Sequence, residues 1–167
     1  MLISGLTTVA FAEESSQADK VVMTEDFQSC DVGASTVKGY SCVTKGNEWK
    51  IKEEDGNKFY AMTVNTSSDA YFNGTLPEVL GGKFVFQFDI RFLDYGPVEK
   101  LLYFAADGGG DIFTIKFNAD GTMTTNDGTF IANYALNKFY TVTLEMDADK
   151  DTMSVKFNNK WRRLNHP

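Results

Sequence analysis

"YTVTLEMDADKDTMSVKF", residues 140–157, sets two alternating stretches on either side of an acidic turn. Before the turn, Tyr140, Val142, Leu144 and Met146 alternate with Thr141, Thr143 and Glu145; after it, Met153, Val155 and Phe157 alternate with Thr152, Ser154 and Lys156. A period of two sends successive side chains to opposite faces, so each stretch predicts a half-buried strand and the pair predicts a β-hairpin. The turn carries Asp147, Asp149 and Asp151, the spacing with which a calcium loop begins. The rest of such a loop is missing. Thr152 stands where the sharp bend needs Gly, Asn158 where a bidentate Glu closes the site, and the flanks are strands rather than helices. The segment reads as a hairpin turn, with a weak surface cation site on the same carboxylates as the alternative.

The same alternation extends outward. "WKIKEE" (49–54) and "KFYAMTV" (58–64) flank an Asp-Gly turn, a second hairpin. In "GGKFVFQFDIRFLD" (81–94), Phe84, Phe86, Phe88, Ile90 and Phe92 share one face, and Val85, Gln87, Asp89, Arg91 and Leu93 the other. Further strands are predicted at "DAYFNG" (69–74), "KLLYFAA" (100–106), "IFTIKF" (112–117) and "TMTTN" (122–126). Helical scraps at "LPEVL" (76–80) and "ANYAL" (132–136) are single turns. About ten short strands joined by Gly, Asn and Asp turns predict an all-β fold, an antiparallel two-sheet β-sandwich with apolar faces inward.

A chain of 167 residues suits one domain with a proper core. The formal charge of −7 disfavours nucleic acid as a partner. The single histidine, His166, leaves little for a mechanism built on a buried catalytic His. Residues 1–12, "MLISGLTTVAFA", carry no charge and end in an A-x-A pattern, which reads as a secretory signal without its basic n-region. A stretch of about twelve residues is too short to span a bilayer. The expected organisation is a signal remnant at 1–12, a flexible leader at 13–24, a β-sandwich at 25–160 and an atypical tail, "WRRLNHP", at 161–167.

Cys30 and Cys42 are the only cysteines and lie in a loop-like stretch. In an exported chain the pair suggests a disulfide, contributing on the order of 3 kcal/mol by loop closure; two free buried thiols are the alternative. A zinc site needs more ligands than these.

The ordered series of the leading "EDF", the "W-x-I-x-EEDGNKFYAM" hairpin, the "FVFQFDIRF" strand and "FYTVTLEMDADKDTMSVKFNN" resembles the concanavalin A-like lectin/glucanase jelly rolls, in particular LamG-like modules of secreted bacterial polysaccharide-processing proteins. The resemblance covers roughly residues 25–160 and rests on core and turn positions. It implies a jelly-roll fold, a secreted location, a place as a monomeric module of a larger protein, and a polysaccharide or glycan as partner. Proteins of this kind often carry a structural calcium ion, whose ligands nothing in this sequence specifies.

That fold also carries glucanases and lyases, whose catalytic patterns are absent. The glucanase E-x-D-x-x-E spacing, which sets nucleophile and acid about the scissile bond, is broken at Glu145-Met146-Asp147 by Lys150 in place of the second Glu. The lyase pattern needs a Gln-x-His strand that does not occur. The Gly-rich "ADGGGD" (106–111) lacks the Lys and the helix of a phosphate loop. No catalytic residue, metal ligand or cofactor is therefore assigned.

The expected function is a non-catalytic carbohydrate-binding module, with a structural or adhesive surface domain, or a lyase or hydrolase on the same fold, as alternatives. Sugar binding needs planar polar side chains for hydroxyls and an aromatic platform for the ring's C–H face. Gln87, Asp89 and Arg91 supply the former, with Lys116 or Glu145 completing a charged cluster; Tyr71, Tyr103 and Trp49 are candidate platforms. The competing reading makes Asp89, Arg91, Lys116 and Glu145 a solvated ion-pair lattice and Trp49 a core residue.

Overall fold

The computed structural model of the chain describes residues 2–11, 20–66, 71–75, 82–96, 100–105, 111–147, 149–150 and 152–164. The predicted turn at 76–80, most of the Gly-rich loop at 106–110, Asp151 and His166 lie outside the described residues. Every regular element among the described residues is a strand, and every sheet is antiparallel. The chain divides into two units: Phe92–Lys138 forms one, and Met1–Arg91 with Phe139–Pro167 the other.

The first unit contains β1 (Leu2–Phe11), β2 (Lys20–Glu25), β3 (Tyr40–Val43), β4 (Glu48–Glu54), β5 (Asn57–Thr63), β6 (Tyr71–Gly74) and β7 (Lys83–Arg91). After the second unit's β8 (Lys100–Ala105), β9 (Asp111–Phe117), β10 (Thr122–Thr125) and β11 (Phe130–Asn133), it resumes with β12 (Phe139–Asp147), β13 (Thr152–Phe157) and β14 (Lys160–Leu164). Its large sheet runs β14-β13-β12-β7-β1-β5-β4, with β2 also paired to β1. β3 and β6 form a separate two-stranded sheet.

The alternation of the quoted stretch becomes register. Tyr140, Val142, Leu144 and Met146 face Ile90, Phe88, Phe86 and Phe84 across β12–β7, and Phe157, Val155 and Met153 follow across β12–β13. These side chains are buried, apart from the partly exposed Phe84, so this face is apolar across β7, β12 and β13. On β4 and β5 the same face carries Ile51 opposite Tyr60, with the Trp49 ring 5.0 Å from Tyr60. The loop after β2 adds Phe27, fully buried and stacked on Tyr60. That loop also hydrogen-bonds Gly33 and Ala34 onto Ile51, covering part of the open edge of β4.

The second unit is a meander of order β11-β10-β9-β8. The ring of Phe92 lies 4.9 Å from those of both Phe117 and Tyr134, and Ile115, Met123 and Ile131 of the same unit are also buried. Gly121 bends the β9–β10 turn at φ +81°, and a Cβ there would come within 3.1 Å of the Tyr134 carbonyl. Only glycine suits both demands.

Two expectations change. The "ANYAL" turn is not helical: Ala132 and Asn133 end strand β11, paired with β10. The tail at 161–167 is not atypical up to Leu164, because Lys160–Leu164 pairs with β13. Its entry is the turn Asn158-Asn159, with φ of 47° and 65°, the left-handed pair that a tight two-residue hairpin requires. The stretches read as signal remnant and leader contain β1 and β2, and β1 occupies the middle of the large sheet, between β7 and β5.

Candidate functional site

The polar side of β7 and β12 forms a regular array on the large sheet. Register sets Thr143 opposite Gln87, Thr141 opposite Asp89 and Phe139 opposite Arg91. Neighbouring strands lie about 4.8 Å apart and alternate residues along a strand about 7 Å apart, so these pairs form a grid. Lys156 lies opposite Thr143, and Trp161 opposite Lys156. One row across four strands therefore reads Trp161, Lys156, Thr143, Gln87: an indole, an ammonium, a hydroxyl and an amide.

Contacts within the grid are specific. The Thr143 hydroxyl donates to Gln87 Oε1 at 3.1 Å, and the Thr141 hydroxyl donates to Asp89 Oδ1 at 2.6 Å. Arg91 pairs through Nη2 with Glu54, and its guanidinium lies 4.6 Å from the Phe139 ring centre and 5.9 Å from that of Phe59. Cation–π contact with two rings orients the guanidinium plane. At the other end of the grid, Lys156 Nζ lies 5.4 Å from the Trp161 ring, which remains 47% exposed.

Gln87, Asp89 and Arg91 thus stand in one file on β7, as the alternation predicts, and Glu145 shares their face opposite Val85. Within the charged set, Asp89 receives a hydroxyl and Arg91 pairs with Glu54. Lys116 lies on β9 in the second unit, opposite Thr124 and Leu101. Tyr71 and Tyr103 are about half exposed, on β6 and β8, and neither strand belongs to the large sheet. Trp49 is 2% exposed, so burial against Tyr60 removes it as a platform. Trp161 and Phe139 are the exposed rings on the grid's own face. The sequence signal for Trp161 was the Asn-Asn turn before it, and for Phe139 its place at the head of the alternating stretch.

Asp147, first of the spaced aspartates, is occupied within its own hairpin. Its Oδ1 accepts the Lys150 backbone N–H at 3.1 Å and its Oδ2 lies 3.3 Å from Lys150 Nζ. Among the described residues, no group of three acidic, His or Cys side chains is arranged to hold a metal ion. The expected disulfide is not formed; Cys30 and Cys42 are free thiols. Lys58 Nζ holds the Cys30 carbonyl at 2.7 Å, Cys42 is fixed opposite Phe72 on β3, and the Tyr60 hydroxyl donates to Ser35 at 2.7 Å, tying down the intervening loop without a bridge. Burial first, then the Glu25 carboxylate, pushes the Cys30 thiol above its usual pKa. Comparison with family models, curated proteins and solved structures finds no match for this chain.

Proposed function

We propose that this chain is a non-catalytic carbohydrate-binding module, a jelly-roll sandwich of the concanavalin A-like kind that works outside the cell. The observation that carries the reading is the row Trp161–Lys156–Thr143–Gln87 beside the Thr141–Asp89 pair. An exposed indole offers the apolar platform a sugar ring needs, and the amide, ammonium and carboxylate beside it offer donors and acceptors to its hydroxyls, with Thr143 fixing the amide from beneath. The test is binding of the purified chain to a panel of soluble and insoluble polysaccharides. Trp161→Ala and Gln87→Ala should each weaken binding at least about tenfold, the value of one lost contact of roughly 1.4 kcal/mol, with the melting temperature held. Tyr71→Ala should leave it unchanged. No retention on any polysaccharide, or retention indifferent to Trp161 and Gln87, sinks the reading.

A second reading has its own support. Thr143 with Gln87, Thr141 with Asp89 and Arg91 with Glu54 satisfy one another. A face that is already paired suits a structural or adhesive surface domain that binds no sugar. That domain would show the negative panel just described.

A further inference from the structure

We propose that the position between β7 and β5 is an acceptor slot for a charge-free extended strand of another protein, filled in the unprocessed chain by its own Leu2–Phe11. The proposal rests on the export reading and concerns a different part of the sheet from the sugar grid. β1 pairs with β7 at nine positions, from Leu2 opposite Arg91 to Phe11 opposite Lys83, so one whole edge of β7 is engaged by it. Its other side is shared between β5, at Leu2 and Ile3, and β2, at Leu6 to Ala10. The strand that fills the middle of the sheet is thus the uncharged segment with the composition of a cleavable leader.

Cleavage after Ala12 would remove β1 and leave the backbone N–H and C=O groups on that edge of β7 without partners. An open edge in the middle of a sheet is a template for another strand. β2 is poorly suited to close it. It has six residues against nine, carries Lys20 and Glu25, and runs directly into Phe27, which is fully buried against Tyr60. Gln28 next to it is clamped to the backbone of Lys58, its Nε2 donating to the carbonyl at 3.1 Å. Moving β2 one strand over, about 4.8 Å, would withdraw these contacts.

The occupant's chemistry follows from what the slot borders. Phe86, Phe88 and Ile90, all buried, stand at alternate positions of β7, so residues set opposite them must be uncharged; those opposite Gln87 and Asp89 can be polar. A partner would therefore present about ten extended residues without charge at alternate positions, adding a strand by backbone pairing. The bulges at Ser4/Leu6 and Thr8/Val9 show that an occupant can shift register to serve neighbours on both sides.

The test uses the full chain with a sequence-specific protease site placed within residues 13–19, cut after folding. The nicked protein should retain segment 1–12 under native conditions and exchange it for an added, labelled peptide of residues 2–11 at one per chain. Its melting temperature should rise by roughly 3–5 °C for each tenfold increase of peptide above Kd. The peptide with Leu6→Asp, opposite Phe88 in the register, should not enter, and uncut protein should take up neither. Release of the segment with no loss of thermal stability and no uptake would overturn the proposal, because the sheet would then close without a guest. Pairing of nicked chains with each other in preference to the peptide would overturn it in favour of a self-interface. N-terminal sequencing of exported material separates the parts: a start at Met1 together with peptide uptake after cutting removes the export reading and leaves the slot. The polysaccharide panel is independent of both.

Discussion

Phe88 and Thr143 show how a neighbour on the next strand decides what a side chain is worth. Phe88 points into the apolar face at 3% exposure, and Phe88→Ala should cost about 3–5 kcal/mol in urea unfolding, with the m-value unchanged. Thr143, on the polar face, reads from alternation as a residue whose loss is nearly silent. In the sheet it is only 8% exposed and donates to Gln87, so Thr143→Ala should cost about 1 kcal/mol, the usual worth of a buried hydrogen bond. Thr141→Ala, exposed on the same strand, tests the distinction. Equal and negligible losses at Thr141 and Thr143 would show that this face is not covered at Thr143. The period of two sorts Phe88 from Thr143 without the structure; the depth of Thr143 beneath its flanking side chains depends on strands distant in sequence.

At the scale of the element, the β13–β14 hairpin carries the most consequence for function, because it holds Trp161. Its turn needs two residues with φ above zero, which Asn158 and Asn159 supply. A β-branched residue there costs roughly 1–2 kcal/mol of local strain. Asn159→Val should therefore fray Lys160–Leu164 and weaken polysaccharide binding as Trp161→Ala does, with faster amide exchange across β14 as the direct measure. Asn159→Gly, which keeps the turn, should leave both unchanged. Asn-Asn is a weaker turn signal than Asn-Gly, and an "RR" pair interrupts the apolar alternation after it, so β14 is hard to recognise in the sequence. The β12–β13 hairpin is easy, because each arm repeats its alternation three times or more on its own side of the turn.

For the molecule as a whole, the buried tyrosines govern behaviour at high pH. Tyr134 is 4% exposed and its hydroxyl donates to the Asn118 carbonyl at 2.6 Å. Burial first, then Tyr95 and Asp120, pushes its pKa up to about 12. The unfolded phenol ionises near pH 10. The stabilising effect of the neutral, hydrogen-bonded ring is full below about pH 10 and is lost as pH rises through about 12. Melting temperatures followed from pH 8 to 11.5 should fall above about pH 10, and less steeply in Tyr134→Phe; parallel curves would mean that Tyr134 has no part in the loss. The all-β class, most of the strands, their buried faces and the file Gln87–Asp89–Arg91 were determined by the sequence alone. Alternation and turn chemistry are local properties of the backbone, readable a few residues at a time. Tertiary structure decided which strands lie side by side. Pairing between residues 56 and 52 positions apart set Thr143 beside Gln87 and Thr141 beside Asp89, a contact across 37 positions turned Arg91 toward Glu54, and packing on Tyr60 sank Trp49 into the core. It also seated an uncharged leader-like segment in the middle of the sheet, because register is a contest among all the strands of a chain and no single segment records its outcome.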